Sequence, residues 1–214
     1  DGGGNDGCFN VYLGRRRLGV KLLSHIFNPV SDSPHIYLDL GFPYMLLGHY
    51  IEEINKEIDL GAGNLVYPGK LMGLAPYGKV QENWLSHFYD FYECINNGNT
   101  YKKVLEKLGS NIGLEFNENK RFDKETGRNL AATSQRAFED IFLKHSKPFI
   151  DQYPDLPICI AGGCGLNITL NTRIVKELKK EVFVGPNPND CGLAAGMLLK
   201  EFKPEKPITL TYSG

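Results

Sequence analysis

No apolar run in this chain reaches the roughly 18 residues that a membrane-crossing helix needs, so a helical membrane protein is excluded at the outset. Charge of one sign is missing too. The 24 Lys and Arg stand against 25 Asp and Glu, a formal charge of −1, and so provide no overall field to gather DNA or RNA. The short run Arg15-Arg16-Arg17 reads as a solvated turn. The five cysteines, Cys8, Cys94, Cys159, Cys164 and Cys191, have neither CxxC spacing nor a paired framework, which suits a reducing cytoplasm. His25, His35, His49, His87 and His145 form no HxxH or HxxxH pattern and read as structural or solvated. GxSxG and Walker sequences are absent, which removes the nucleophile elbow and the P-loop. Neither nucleic acid nor membrane is expected as a partner.

What the chain does contain is ordinary globular material, 42% apolar and 23% charged, over 214 residues. That length buries one sizeable core or two packed lobes. No initiator Met or signal pattern precedes Asp1, which already reads as the middle of a strand and turn, so the chain is expected to be a piece of a longer cytoplasmic protein.

Alternating Phe9, Val11 and Leu13, then Leu18, Val20 and Leu22 beyond a tight turn, predict a β-hairpin. A weaker strand signal covers His35 to Leu40. Between Pro43 and Ile58 the apolar spacing changes to three and four, predicting a helix. Pro68 to Gly78 has too many glycines and prolines for a stable helix, yet is apolar enough to be packed. Helices are predicted from Trp84 to Ile95, from Lys102 to Leu108, and over a long stretch from Leu130 to His145 capped by Asp123 or Asn129. Small residues Ala131, Ala132 and Ser134 would let that last helix pack closely. After Pro154 the order is strand (156–161), helix (167–178), strand (182–184), helix (191–202), which implies parallel strands with crossover helices.

Three glycine-rich turns could carry chemistry. In Ala161-Gly-Gly-Cys-Gly-Leu-Asn167 a buried strand runs into glycines and then a helix, presenting backbone N–H groups suited to phosphate or ribose; a tight connection in which glycine relieves crowding explains it equally. Gly185 to Gly196 repeats the arrangement and places Asp190 at a helix start, where it is either an N-cap or a ligand-facing carboxylate at the carboxyl end of a strand. Asp1 with Gly2, Gly3 and Gly4 is a third phosphate cradle or an ordinary hairpin turn. Carboxylates from Asp1 and Asp190 would suit a divalent cation without completing its coordination.

In order, DGGGN opening a hairpin, GKLMGLAPYG, NLAATSQRAFE, AGGCGLN followed by NTRI, and PNPNDCGLAAG are more specific together than singly. The sequence resembles the O-carbamoyltransferase family of nodulation-factor and antibiotic-tailoring enzymes from Asp1 to about Phe202, with KLMGLAPYG the most diagnostic stretch. The resemblance implies an α/β fold of the actin, sugar-kinase and Hsp70-like (ribonuclease H-like) type, in the branch shared with the tRNA threonylcarbamoyl-transfer proteins. The chain (1–214) looks like the second lobe, with a helical insertion around 81–125. The preceding lobe and a following YrdC-like companion domain, both expected as partners within the same protein, would lie outside it.

The activity so implied uses carbamoyl phosphate and ATP to form a carbamoyl adenylate, then passes the carbamoyl group to a hydroxyl-bearing small-molecule or sugar acceptor. Iron or another divalent metal would hold the adenylate phosphate. By resemblance Asp1 and Asp190 are the metal ligands, Gly2, Gly3, Gly162, Gly163 and Asn167 line the nucleotide, and Lys70 is a pocket residue. A general base is not identified, and the fragment alone is expected to be inactive. A phosphoryl-transferring kinase of the same superfamily and a non-catalytic nucleotide-binding module are the competing readings.

Overall fold

The computed structural model describes residues 9–15, 18–26, 38, 40–55, 64–93 and 101–204. The chain divides into two compact units, Asp1–Pro154 and Asp155–Gly214. Both mix helices with a small sheet.

In the first unit β1 (Phe9–Arg15) and β2 (Gly19–Ile26) form the predicted antiparallel hairpin, from Phe9 opposite Ile26 to Arg15 opposite Gly19. Gly19 has φ +83°, a conformation that glycine adopts without a Cβ penalty, and the Leu18 N–H closes the turn on the Arg15 carbonyl at 3.1 Å. The register shifts between Val11 and Tyr12, so the alternation read from the sequence is interrupted by a bulge. The weaker strand signal at 35–40 lies mostly outside the described residues.

Helix α1 (Gly41–Gly48) is shorter than the spacing predicts. Its continuation is diverted because the backbone at 50–52 pairs with Phe122: the Phe122 N–H donates to the Tyr50 carbonyl at 2.7 Å and the Glu52 N–H to the Phe122 carbonyl at 3.1 Å. Residues 56–60, where the predicted helix would end, fall outside the described set.

The segment predicted to be irregular forms α2 (Tyr67–Leu74) followed by a 3-10 turn (Ala75–Tyr77). Pro68 sits in the first helical turn, where its missing N–H costs nothing. Tyr67 and Leu71, four apart and both fully buried, anchor one face and offset the weak helix propensity of Gly69 and Gly73.

Helices α3 (Glu82–Tyr92), α4 (Tyr101–Ile112) and α5 (Lys124–Gln152) complete the unit. Asp123 caps α5 as predicted, accepting from the Thr126 N–H at 2.9 Å and the Thr126 hydroxyl at 3.1 Å. The small residues of α5 admit α3, where the Tyr92 hydroxyl meets Ser134 Oγ at 2.6 Å in the core. Farther along, Tyr89 donates to Asp140 at 2.8 Å, and Lys144 and His145 both engage Glu93. Burial opposes the charged form of Glu93, but hydrogen bonds from Lys144 and His145 outweigh it and hold its carboxyl below the usual value. A bidentate pair from Arg128 to Glu53, at 2.7 and 2.8 Å, links the start of α5 to the turn after α1.

In the second unit β3 (Ile158–Ile160) and β4 (Val182–Val184) are parallel, with Ile158, Cys159 and Ile160 opposite Val182, Phe183 and Val184. Each strand is followed by a short 3-10 turn and a helix, α6 (Ile168–Leu178) and α7 (Leu193–Phe202), the alternation predicted from the sequence. Leu170 and Ile174 bury one face of α6. No described helix is long and apolar enough to cross a membrane.

Candidate functional site

The site is built where the two parallel strands of the second unit end. Beyond β3, Gly162 has φ +94° and ψ 164°, a backbone conformation that side chains disfavour. Its N–H donates to the Pro188 carbonyl at 2.7 Å. This bond ties the turn after β3 to the turn after β4 and makes the two glycine-rich motifs one structure.

Gly163–Leu166 then forms a 3-10 turn closed by Gly165 N–H to the Gly162 carbonyl at 2.9 Å. Asn167 follows as the N-cap of α6. Its Oδ1 accepts from the Leu170 N–H at 3.0 Å and the Thr169 hydroxyl at 2.7 Å, and the residue is buried. Sequence reasoning assigned Asn167 to the nucleotide; in the structure its side-chain oxygen serves the helix. The aligned peptide dipoles of α6 leave partial positive charge at this end, beside the Gly163–Leu166 turn.

The second turn has its own steric logic. A Cβ at Gly192 would lie 2.1 Å from the Asn187 carbonyl oxygen, and Asn187 itself adopts φ +51°. Asp190 does not cap the helix that follows: α7 has no side-chain cap, and the 3-10 turn before it is capped by Asn189, whose Oδ1 accepts from the Cys191 N–H at 3.3 Å. Asp190 is therefore released from capping. It is exposed, and its carboxylate makes no hydrogen bond among the described residues, while its backbone carbonyl accepts from the Leu193 N–H.

Gly162, Gly163, Asn167 and Asp190 thus share one unit and one pair of linked turns. Lys70 belongs to the first unit, on α2, and donates to the Ile54 carbonyl at 3.3 Å. Asp1, Gly2 and Gly3 lie outside the described residues. Sequence reasoning passed over Asn171, whose Nδ2 donates to the Gly165 carbonyl at 2.8 Å and whose buried Oδ1 has no partner. The available signal was its spacing of four from Asn167, which puts both on one face of α6.

Replacing Asn167 with Ala removes the cap of α6 and leaves the Leu170 N–H unpaired in a buried position. The expected loss is about 1–2 kcal/mol in equilibrium denaturation of the full-length protein, with Asn167→Asp retaining most of the wild-type value.

For a divalent cation the fit is chemical but incomplete. Asp190 offers a hard carboxylate oxygen with no competing partner, while no group of three or more His, Cys, Asp or Glu among the described residues is placed to hold a metal.

Paired strand-turn-helix units with glycine turns joined at the strand ends define a mixed α/β protein. The chain belongs to the carbamoyltransferase N-terminus family, whose model matches residues 16–199. It is 27% identical over 192 residues to nodulation protein U of Bradyrhizobium diazoefficiens, covering 83% of this chain and 32% of that protein. The nodulation protein U of Sinorhizobium fredii is 28% identical over 176 residues, covering 73% and 30% respectively. The tRNA N6-adenosine threonylcarbamoyltransferase of Lactococcus lactis is 32% identical over 139 residues, covering 61% of this chain and 40% of that enzyme. The chain therefore spans about a third of the length of the nodulation proteins it matches.

Proposed function

We propose that this chain is the second lobe of an actin, sugar-kinase and Hsp70-like domain in an ATP-dependent O-carbamoyltransferase. The carbamoyl group comes from carbamoyl phosphate by way of carbamoyl adenylate and goes to a hydroxyl of a small-molecule or sugar acceptor. The observation that carries the reading is the Gly162 to Pro188 bond, which joins two glycine turns at the ends of adjacent parallel strands in a chain of this family. Likeness to a threonylcarbamoyltransferase supports the same chemical class, transfer of an activated carbamoyl-type group.

In this reading the turn at Gly162 and Gly163 and the positive end of α6 face the nucleotide, and Asn167 fixes their positions by capping the helix. Asp190, with Asp1, would contribute carboxylate oxygens to a divalent metal such as iron, which when bound supplies positive charge against the phosphate. The first lobe and the adenylate-forming companion domain are supplied by the rest of the protein.

The test is to incubate the full-length protein with ATP, carbamoyl phosphate and candidate hydroxyl acceptors. Pyrophosphate release is expected; ADP as the sole nucleotide product would instead identify a kinase, and no turnover would identify a binding module. Asp190→Ala should lower both turnover and bound metal at least tenfold with an unchanged circular dichroism spectrum. Metal content equal to wild type by elemental analysis would remove Asp190 from the ligand set.

A further inference from the structure

Asn171 stands near the start of α6 and reaches back to the glycine turn before the helix, where its Nδ2 donates to the Gly165 carbonyl at 2.8 Å. The other amide atom, Oδ1, is enclosed and has no hydrogen-bond partner among the described residues. The orientation is fixed by chemistry, because turning the amide over would set Oδ1 against the Gly165 carbonyl, acceptor against acceptor. An enclosed amide that satisfies only one of its two ends costs free energy that an apolar side chain would not. Packing therefore does not account for an asparagine here. The bond to Gly165 does.

The other carbonyls around this turn are held by backbone N–H groups. The Gly162 carbonyl accepts from Gly165 at 2.9 Å, the Cys164 carbonyl from Asn167 at 3.0 Å, the Pro188 carbonyl from Gly162 at 2.7 Å and the Asn167 carbonyl from Asn171 at 3.1 Å. The Gly165 carbonyl is held instead by a side chain, and so by residue identity at position 171. Gly165 is buried, and a Cβ there would come within 3.5 Å of Ile160, Pro188 and Val184, so it sits against the ends of both strands. With these oxygens committed to hydrogen bonds, their negative partial charge is drawn into the protein, beside the positive end of the α6 dipole.

We infer that Asn171 is a positioning residue for the phosphate of a nucleotide bound at this turn. By holding the Gly165 carbonyl it keeps an acceptor oxygen away from the anion and fixes the turn with its N–H groups toward the ligand. Without that donor the Gly165 peptide can rotate and present its oxygen to the ligand. An oxygen so placed repels a phosphate and leaves a neutral nucleoside almost unaffected. Asn171 thus sets the preference of the turn for AMP over adenosine. The inference rests on the nucleotide reading of this turn given above.

The test is calorimetric titration of the full-length protein with AMP and with adenosine, in the wild type and in Asn171→Leu and Asn171→Ala. The wild type should bind AMP saturably and more tightly than adenosine. Asn171→Leu removes the donor together with the unpaired acceptor and keeps the bulk of the side chain; Asn171→Ala covers the case in which leucine does not fit. Each variant should bind AMP about tenfold more weakly or worse, the effect of a charge-assisted contact, and adenosine less than about twofold more weakly, with an unchanged circular dichroism spectrum. AMP affinity equal to wild type in both variants would overturn the role of Asn171 and leave the nucleotide reading standing. AMP and adenosine weakened by the same factor would show a brace for the fold alone, and would overturn it too. A wild-type protein that binds neither compound would overturn the nucleotide reading and this inference with it.

Discussion

Gly78→Ala is expected to destabilise the protein by about 3 kcal/mol or more, enough to abolish accumulation of folded material if the starting stability is modest. A Cβ at Gly78 would lie 1.9 Å from the Arg128 carbonyl oxygen, 2.3 Å from its carbon and 2.9 Å from the Asn129 nitrogen. All three atoms belong to the backbone of α5, so no side chain can swing aside. The same approach is fastened on both flanks. The Lys79 N–H donates to Asn129 Oδ1 at 2.8 Å, and the Gln81 N–H to Thr133 Oγ1 at 2.9 Å. Relief would require α5 to move away from the segment it is bonded to.

Gly69 and Gly73, in the same apolar stretch, provide the contrast. A Cβ at either would meet nothing within 4 Å, and both are helical. Alanine at these positions should be neutral or stabilise by about 0.5–1 kcal/mol, because it restricts the unfolded chain without a folded-state clash. Urea midpoints of the three variants separate the effects. Equal behaviour of Gly78→Ala and Gly73→Ala would show that close approach to α5 does not matter.

Phe138→Ala should cost about 4 kcal/mol. Phe138 is 1% exposed and lies between the rings of Tyr44, at 5.0 Å, and Tyr92, at 6.2 Å, so it is packed by α1, α3 and α5 together. Its removal leaves a cavity that neither neighbour can readily fill. The Tyr44 hydroxyl is held by Gln135 at 2.5 Å and the Tyr92 hydroxyl by Ser134 at 2.6 Å. At about 2–4 °C per kcal/mol for a chain of this size, the melting temperature should fall by about 8–16 °C. A fall of less than about 3 °C would mean that the three helices do not share a core through this ring.

The linear chain states its elements most clearly where one local rule acts alone. The alternation around Phe9 and Leu13, the spacing from Trp84 to Phe91, the Asp123 cap and the strand-helix alternation after Pro154 each follow from periodicity or side-chain chemistry within a few residues. The glycine turn at 161–167 was visible for the same reason. Its partner was not. Pro188 is separated from Gly162 by a complete helix and strand, and a backbone carbonyl carries no sequence signal.

Where local rules conflicted, distant contacts decided. Pro68, Gly69 and Gly73 argue against a helix, yet burial of Tyr67 and Leu71 stabilises one. The spacing after Pro43 argues for a long helix, yet hydrogen bonds from 50–52 to Phe122 end it early. At the candidate site the sequence offered Asp190 as a helix cap, and only the folded chain leaves α7 without a side-chain cap, has Asn189 cap the 3-10 turn before it and leaves the Asp190 carboxylate uncommitted. Sequence alone therefore determined the family and the α/β alternation, because these reside in residue identity and short-range order. Tertiary structure alone decided which polar atoms remain free, because that depends on hydrogen bonds between residues far apart in the chain.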